Sequence, residues 1–399
     1  MALLDRLFKK MVESKASDLH ISSNNVAKWR LHGDICDIEG EKINTPEDIL
    51  FMLEEIMPEK NFYEFKDQND TDFAYELEGY GRFRANAFSD RNGPGAVFRL
   101  IPTKIITAED LDLPSSVLDL CFLSKGLVLV TGPTGSGKST TLSAMVDYIN
   151  RNRTEHIITI EDPIEFVHEN KKCLINQREV KVHTKTFKSA LKAALREDPD
   201  IVLVGEMRDL ETVEIAIETA ETGHLVFGTL HTSTAAGTVE RIIQQFPSEK
   251  QAQIRQMLSG SLKGVISQNL LKTKDGNGRV AAMEILIGNS AIAAQIRDGK
   301  THQIESTMQI SGNQGMVLLN DALLTLVEKG KVDPAEAYKK SIDKADLLLK
   351  FKANMIPFIP DNEYSRKEDN GFSVKNKRDI NFDDFGNSTG MLNRKRSLY

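Results

Sequence analysis

The chain has 399 residues, a formal net charge of −7 and 40% hydrophobic residues. This length exceeds what one compact core usually holds and predicts two domains with room for a tail. Acidic and basic residues are interspersed, which disfavours nucleic acid as a partner because phosphate binding relies on clustered Lys and Arg. Three widely spaced cysteines without a CxxC pair predict neither a disulfide framework nor a zinc site, and favour a reducing cytoplasm. Apolar runs fall short of the roughly 18 residues that span a bilayer, so we expect membrane association only through partner proteins.

The first part of the chain combines helical and strand patterns. MALLDRLFKKMVE has apolar residues at helical spacing, whereas YGRFRANAFSDRNGPGAVFRLIP has two alternating runs around a turn. We therefore predict an α+β domain with an antiparallel sheet over residues 1–100. Pro102 and the stretch LDLPSS predict a linker over residues 101–115.

The pattern then changes to an α/β domain, predicted over residues 116–350. Its short apolar runs are typical of buried strands in a mostly parallel sheet. These runs are GLVLV (126–130), HIITI (156–160), DIVLVG (200–205) and HLVFGTL (224–230). The intervening segments predict amphipathic helices, and QAQIRQMLSGSLKGVISQNLL (251–271) predicts another. Helical segments broken by glycines are expected to continue to residue 350.

Residues 351–399 have mixed charges and no sustained period, which predicts a flexible tail. Its apolar side chains either form short binding motifs or have no specific role. They are Met355, Ile356, Phe358, Ile359, Phe382 and Phe385.

The stretch GPTGSGKST follows a predicted strand and opens a predicted helix, which is the setting of a phosphate-binding P-loop. Its glycines let backbone N–H groups turn towards phosphates, Lys138 offsets phosphate charge, and Ser139 ligates Mg²⁺. We expect ATP and Mg²⁺ as the ligands. The predicted nucleotide-binding residues are Gly132, Pro133, Thr134, Gly135, Ser136, Gly137, Lys138, Ser139 and Thr140.

Two acidic segments follow predicted strands. Glu206 lies just beyond the strand IVLVG, at the edge where a parallel sheet presents loops to a ligand. A carboxylate there orients and deprotonates the attacking water, although a solvated loop acid would have the same spacing. In EDPIE, Glu161 and Asp162 either hold Mg²⁺ or polarise the nucleophile, or they simply form a turn ahead of Pro163.

Histidines and arginines complete the set of candidates. His224 and His231 bracket a strand and are about 23 Å apart in extended chain, so they cannot share a metal. His231, at the carboxyl end, is the better candidate for nucleotide contact. In GRFRANAF, Arg82 and Arg84 share one face, and Arg99 follows on the returning strand. This face is either a solvated surface or a set of arginine fingers for a neighbouring subunit's nucleotide.

Several motifs together resemble the type IV pilus retraction ATPases of the PilT/PilU family, over most of residues 1–345. They are SDLHIS, GRFRANAF with VFRLIP, GPTGSGKSTT, TIEDPIEF, REDPDIVLVGEMRD and GHLVFGTLHTSTAAGTVERI. The resemblance implies a PAS-like N-terminal domain and a RecA-like P-loop ATPase domain. It also implies a homohexameric ring, cytoplasmic and peripheral at the inner membrane, docked on the pilus platform protein.

The resemblance also implies roles for particular residues. Glu206 matches the Walker B glutamate and Glu165 the Asp-box glutamate. The remaining matches are Lys138 and Ser139 in Walker A, His224 and His231 in the His box, and Arg82, Arg84 and Arg99 facing the adjacent subunit's nucleotide.

Retraction is favoured over assembly, because assembly members of the superfamily usually carry a longer N-terminal region and a tetracysteine zinc module. The segment AIAAQIRDGKTHQI departs from the PilT-type AIRNLIREGKTHQI. With the long tail, this departure points to the accessory PilU type, acting alongside a PilT-type ATPase. The alternatives are a coupling subunit without its own catalysis and, less favoured, a nucleic-acid-translocating ATPase.

Overall fold

Two large β-sheets organise the described residues, and Asn25–Val26 and Ile43–Asn44 form a small two-stranded antiparallel sheet. The computed structural model describes residues 2–31, 34–101, 105–276 and 278–360. The first elements in chain order are α1 (Leu3–Glu13), β1 (Asp18–Ser22), β2 (Asn25–Val26), β3 (Lys28–Leu31), β4 (Asp34–Asp37), β5 (Ile43–Asn44), α2 (Pro46–Ile56), α3 (Glu59–Gln68), β6 (Asp70–Leu77), β7 (Gly81–Asp90) and β8 (Gly93–Ile101).

The N-terminal sheet has the strand order β4-β3-β1-β8-β7-β6, and all its neighbours pair antiparallel. Alternation along β7 sends Phe83 into the core and Arg84 to the opposite face. The amphipathic helix α1 covers the core face, where the rings of Phe8 and Phe83 stack with centroids 4.2 Å apart. The predicted α+β organisation with an antiparallel sheet is confirmed.

The second part of the chain alternates strands and helices. Its elements are α4 (Ser115–Leu120), β9 (Gly126–Thr131), α5 (Lys138–Asn152), β10 (His156–Glu161), β11 (Leu174–Glu179), α6 (Phe187–Ala194), β12 (Ile201–Val204), α7 (Leu210–Glu221), β13 (Leu225–Leu230), α8 (Ala235–Gln245), α9 (Ser248–Ser261), β14 (Leu262–Lys272), β15 (Arg279–Ile287), α10 (Ser290–Arg297), α11 (Ile304–Ile310), α12 (Leu319–Glu328), α13 (Pro334–Lys340) and α14 (Lys344–Ala353), with 3-10 turns at Thr301–Gln303 and Gly312–Gln314.

The parallel sheet has the order β11-β10-β12-β13-β9-β14-β15, and only the pairing of β14 with β15 is antiparallel among the strands described. Successive residues of β9 face two different buried clusters, since Leu129 belongs to one and Val130 to the other. Apolar helices therefore cover both faces of this sheet. All four predicted strands are confirmed.

The prediction of a helix over residues 251–271 is wrong in its second half. Helix α9 ends at Ser261, and β14 follows directly; β15 likewise replaces an expected helical segment. Val265 and Ile266 are consecutive, and both are fully buried on opposite faces of the sheet. A doubly buried strand lacks the polar alternation that distinguishes it from a helix.

The predicted flexible tail begins too early at residue 351. Helix α14 continues to Ala353, and Phe351 is buried in a C-terminal apolar cluster. The ring of Phe358 packs against the rings of Phe351 and Tyr338, with centroid distances of 5.9 and 5.2 Å. The predicted motif residues Phe382 and Phe385 lie outside the described residues.

The predicted linker is partly built into the second domain. Ala108 and Leu113 are buried in the cluster beneath the parallel sheet. Of the helices in the described part of the chain, none is long and apolar enough to cross a membrane.

Candidate active site

The P-loop connects the end of β9 to the start of α5. Gly132, Gly135 and Gly137 have φ values of 144°, 76° and 86°, which L side chains rarely adopt. A Cβ at Gly132 would lie 2.3 Å from the Gln268 carbonyl oxygen, and one at Gly137 would lie 2.8 Å from the Gln268 side-chain nitrogen. Glycine is therefore needed both for the turn and for the close approach to β14.

Gln268 of β14 braces this loop. Its side-chain nitrogen donates to the Ser136 carbonyl oxygen at 2.7 Å, and its side-chain oxygen accepts from the Thr141 hydroxyl at 2.8 Å. Gln268 was not predicted, because the apolar pattern of its segment was interpreted as a helix. Its partners are distant in sequence, so only the strand pairing of β14 with β9 brings them together.

Lys138 begins α5, where helix N–H groups favour an anion. Its Nζ donates to the carbonyl oxygens of Gly132 at 3.0 Å and Pro133 at 3.2 Å. Burial lowers the pKa of Lys138, and the nearby carboxylates of Glu206 and Glu165 oppose that shift. The ammonium group thus lies within the loop, on acceptors that phosphate oxygens can replace.

Glu206 follows β12 and is held on both sides. One carboxylate oxygen accepts from the Arg208 guanidinium at 2.6 Å, and the other lies 3.1 Å from Nε2 of His231. The hydrogen bond from Arg208 lowers the pKa of Glu206 despite its partial burial, and His231 adds to this effect. An ionised carboxylate is an acceptor only, which suits a group that takes a proton from water. Arg208 was missed, although it stands in the same GEMRD motif as Glu206.

The acidic loop after β10 contributes two kinds of carboxylate. Glu161 accepts from the Thr159 hydroxyl at 2.6 Å and from the Gln177 side chain at 3.1 Å, and burial raises its pKa. Asp162 and Glu165 are exposed and line the same cavity as the P-loop. Glu161, which also lines the cavity, is thus held by hydrogen bonds, whereas Asp162 and Glu165 are exposed to it.

One cavity of about 550 Å³ unites most of these residues, and this volume is in the range of small-molecule sites. The predicted residues that line it are Arg84, Arg99, Thr134, Gly135, Gly137, Lys138, Ser139, Thr140, Glu161, Asp162, Glu165, Glu206 and His231. Residues that sequence reasoning missed also line it, including His168, Arg208, Leu270 and Arg279. Arg279 and Leu270 belong to the β14–β15 hairpin that was predicted to be helical.

The three predicted arginines have different surroundings within the chain. Arg84 and Arg99 line the cavity of their own chain, and the implied contact with an adjacent subunit's nucleotide stays a prediction. Arg82 does not line it. Its guanidinium pairs with the buried carboxylate of Glu179 at 2.8 Å, which ties β7 to β11. The physical reason is that the exposed face of the N-terminal sheet packs over the carboxyl edge of the parallel sheet within one chain.

His224 also lies away from the cavity. It precedes β13, at the opposite end of that strand from His231, and its Nδ1 lies 3.2 Å from the Thr219 carbonyl oxygen. In this chain it has the contacts of a structural histidine, and it is not part of the nucleotide cavity.

The residues fit a magnesium nucleotide. Within the described ranges, no group of three or more His, Cys, Asp or Glu side chains is placed to hold a metal ion. Mg²⁺ usually keeps several waters and binds through few protein ligands together with substrate phosphates. The Ser139 hydroxyl, in the first turn of α5, and the acids of the cavity wall match that type of site.

A glycine-rich phosphate loop after β9, an ionised glutamate after β12, two strands away in the same sheet, and arginines on the facing wall define a P-loop ATPase. Comparison with known proteins agrees with this class. A family model described as type II/IV secretion system protein matches residues 1–345. The chain belongs to the PilT/PilU family of pilus retraction ATPases within these secretion system proteins.

Two curated relatives come from Pseudomonas aeruginosa. The type IV pilus retraction ATPase PilT is 51% identical over 330 residues, covering 82% of this chain and 94% of the relative. The type IV pilus ATPase PilU is 38% identical over 348 residues, covering 87% and 91%. The predicted family is confirmed. The identities do not favour the finer PilU-type assignment.

A solved structure has the same fold. The crystal structure of the pilus retraction motor PilT with bound ADP matches with a TM-score of 0.82 and 45% identity. The match covers 87% of this chain and 99% of that chain. The predicted arrangement of an N-terminal domain followed by an ATPase domain is confirmed.

Proposed function

We propose that this chain is one subunit of a homohexameric ring that hydrolyses ATP to drive retraction of a type IV pilus. The names of the PilT and PilU relatives support the pilus, and the cavity supports the hydrolysis. The ring would be cytoplasmic and would act at the inner membrane by docking on the pilus platform protein. The observation that carries the catalytic part is Glu206, held ionised between Arg208 and His231 across the cavity from Lys138.

We assign a step to each wall of the cavity. The P-loop N–H groups and Lys138 bind the phosphates. Ser139 and the acidic loop would hold Mg²⁺, which when bound would neutralise phosphate charge. Glu206 orients the attacking water and accepts its proton. Arg84 and Arg99 offer positive charge to the terminal phosphate, so the triphosphate draws the N-terminal sheet towards the parallel sheet. Loss of that phosphate releases the N-terminal sheet from the parallel sheet.

The catalytic role is tested by Glu206→Gln. The variant keeps the size of the side chain but cannot accept a proton, so we expect kcat for ATP hydrolysis to fall about 100-fold or more. ATP should still bind, because the P-loop is intact. Phosphate release by the purified ring measures the first effect, and a fluorescent ATP analogue measures the second.

Glu214→Gln is the matched control. The Glu214 side chain is 26% exposed and pairs with Lys250 on the same domain, whereas that of Glu206 is 22% exposed. Each variant removes the charge of a partly buried carboxylate that pairs with a basic side chain, but Glu214 does not line the cavity. Turnover should stay near wild type in this control. Undiminished turnover in Glu206→Gln would refute the catalytic assignment.

We further propose an accessory role beside a PilT-type ring. The support is the segment of residues 291–304, where Ala293 and Asp298 stand in place of the PilT-type arginine and glutamate. The test compares ATP turnover of this protein alone, of a Lys138→Ala variant, and of each mixed with a PilT-type ATPase and the platform protein. An accessory subunit should bind the PilT-type ring and raise its turnover. High turnover alone, without binding to that ring, would contradict the accessory role.

A further inference from the structure

A row of charged residues crosses the N-terminal sheet on the face that meets the cavity. Asp18 of β1 pairs directly with Arg30 of β3 and with Arg99 of β8, and Arg99 pairs with Arg84 of β7. Residues paired across antiparallel strands project on the same side of the sheet. These four side chains, called here the charged row, therefore lie next to one another. Asp18 belongs to the SDLHIS motif, for which the ATPase reaction itself gives no role.

Asp18 holds Arg99 by one particular nitrogen. Oδ1 of Asp18 accepts from Nε of Arg99 at 2.8 Å, and Oδ2 accepts from the Ser17 hydroxyl at 2.7 Å. Nε of Arg30 lies 3.7 Å from the same Oδ2. Because Asp18 occupies Nε, the two terminal nitrogens of the Arg99 guanidinium remain for another acceptor.

The two partners differ sharply in burial. The side chain of Asp18 is 6% exposed and that of Arg99 is 70% exposed. A buried acceptor with a second hydrogen bond from Ser17 is fixed in place, whereas a long exposed arginine is otherwise free to adopt many rotamers. Asp18 thus supplies the rigid end of the pair.

The contact between Asp18 and Arg99 also compensates an electrostatic repulsion. Arg84 and Arg99 are like charges directly opposite each other, an arrangement that is unfavourable without compensation. Burial alone would raise the pKa of Asp18, but hydrogen bonds from Ser17 and Arg99 hold it below its ordinary value. Burial also lowers the pKa of His20 on the same face, so His20 adds no positive charge at neutral pH. The Asp18 carboxylate therefore offsets the repulsion between the two arginines.

We propose that Asp18 is a positioning residue that keeps Arg99 beside Arg84, with both guanidinium groups directed at the terminal phosphate in the cavity of the same chain. This inference rests on the proposed ATPase mechanism and adds a residue that never touches the nucleotide. It predicts that Asp18 matters for ATP and is indifferent to ADP, since ADP lacks the terminal phosphate.

The test is Asp18→Asn in the full chain. We expect kcat to fall about 10- to 100-fold through misplacement of Arg99, with a matching loss of affinity for a non-hydrolysable ATP analogue. Affinity for ADP should change less than about twofold, since the P-loop is untouched. Steady-state kinetics and titration with both nucleotides give these values. Equal weakening of ATP analogue and ADP would point to a structural role and overturn the proposal.

Glu41→Gln is the matched control. The Glu41 side chain is 8% exposed and pairs with Arg6 at 2.6 Å and Lys10 at 2.8 Å in the same domain, but it does not line the cavity. This variant should lose similar thermal stability and keep the wild-type preference for the ATP analogue over ADP. An equal loss of that preference in Glu41→Gln would also overturn the proposal.

An Arg99→Ala background tests whether Asp18 acts by positioning Arg99. If Asp18 acts through Arg99, Asp18→Asn adds no further loss there, and additive losses would refute the coupling. Wild-type kinetics in Arg99→Ala would show that Arg99 has no role in the mechanism and would overturn the proposal. Glu206→Gln would still test the hydrolysis mechanism separately. If Asp18→Asn does not fold, Ser17→Ala removes the hydrogen bond to Asp18 together with a longer contact of the hydroxyl with the Arg30 carbonyl oxygen at 3.4 Å, and it should show a smaller loss of the same ATP-specific kind.

Discussion

His168 is a half-buried histidine on the wall of the cavity. Its Nε2 lies 3.5 Å from the Ser143 hydroxyl, and its Nδ1 has no hydrogen-bond partner among the described residues. Burial lowers the pKa of His168 to about 4. The folded protein therefore keeps this ring neutral at pH values where an unfolded chain would bind a proton.

The sign of the pH dependence follows from that difference. Between pH of about 6.5 and 4 the unfolded state binds the extra proton, so the free energy of unfolding decreases as pH falls through this window. The His168 contribution is on the order of 3 kcal/mol. Urea unfolding of wild type and His168→Gln at several pH values measures it. The variant should have a shallower dependence, and the exposed His302→Gln should not; equal slopes in all three would contradict the assignment.

At the scale of residues, sequence reasoning found what is local. Lys138 and Ser139 belong to one short motif whose geometry is encoded in its own glycines, and Glu206 follows its strand directly. Gln268 was out of reach because it meets Ser136 across 132 positions of sequence. Arg208 was visible in the motif but had no assigned role until the structure paired it with Glu206.

At the scale of elements, the success of prediction follows the burial pattern. The four predicted strands are short apolar runs with clear boundaries, and all are present. The edge strand β11 was missed because LINQRE is largely polar, and β14 because its apolar residues follow one another. Because the β14–β15 hairpin was not predicted, its site residues Gln268 and Arg279 were not predicted either.

The packing of helix α14 in the C-terminal apolar cluster can be tested by substitution. Phe351 is 1% exposed within it, while Met355, four residues on, is 90% exposed. We expect Phe351→Ala to lower the free energy of unfolding of this part by about 3–5 kcal/mol through loss of buried surface and the resulting cavity. Met355→Ala should change it by less than about 0.5 kcal/mol. Urea denaturation followed by circular dichroism distinguishes them, and similar midpoints would show that α14 is not part of the folded core.

At the scale of the whole molecule, the change of pattern near residue 115 predicted two parts of different class. It did not predict how they meet. Alternation shows that Arg84 and Arg99 share a face, but the neighbour of that face depends on the packing of two sheets. The cavity of a single chain therefore emerged only from the structure.

The role of the C-terminal segment belongs to this scale. Because Phe351 and Phe358 pack in the folded core, a truncation should begin after Pro360. We expect a chain without residues 361–399 to keep its ATP turnover and thermal midpoint but to bind a PilT-type partner more weakly. Co-elution of the two proteins measures binding. Lost turnover with intact association would contradict this expectation, and a control lacking residues 351–399 should melt at a lower temperature.

The ion pair between Arg82 and Glu179 connects the two domains. It fastens the N-terminal sheet to the parallel sheet at β11, and the same carboxylate accepts from the backbone N–H of Ile164 in the acidic loop at 3.2 Å. Arg84 lies two residues along β7 from this contact, and Arg84 and Arg99 line the cavity. In the proposed mechanism, a triphosphate bound there adds a second, removable connection between the two sheets of one polypeptide. In the proposed ring, each subunit would then have its own nucleotide-dependent contact, and the ring would only have to set the order in which these contacts close.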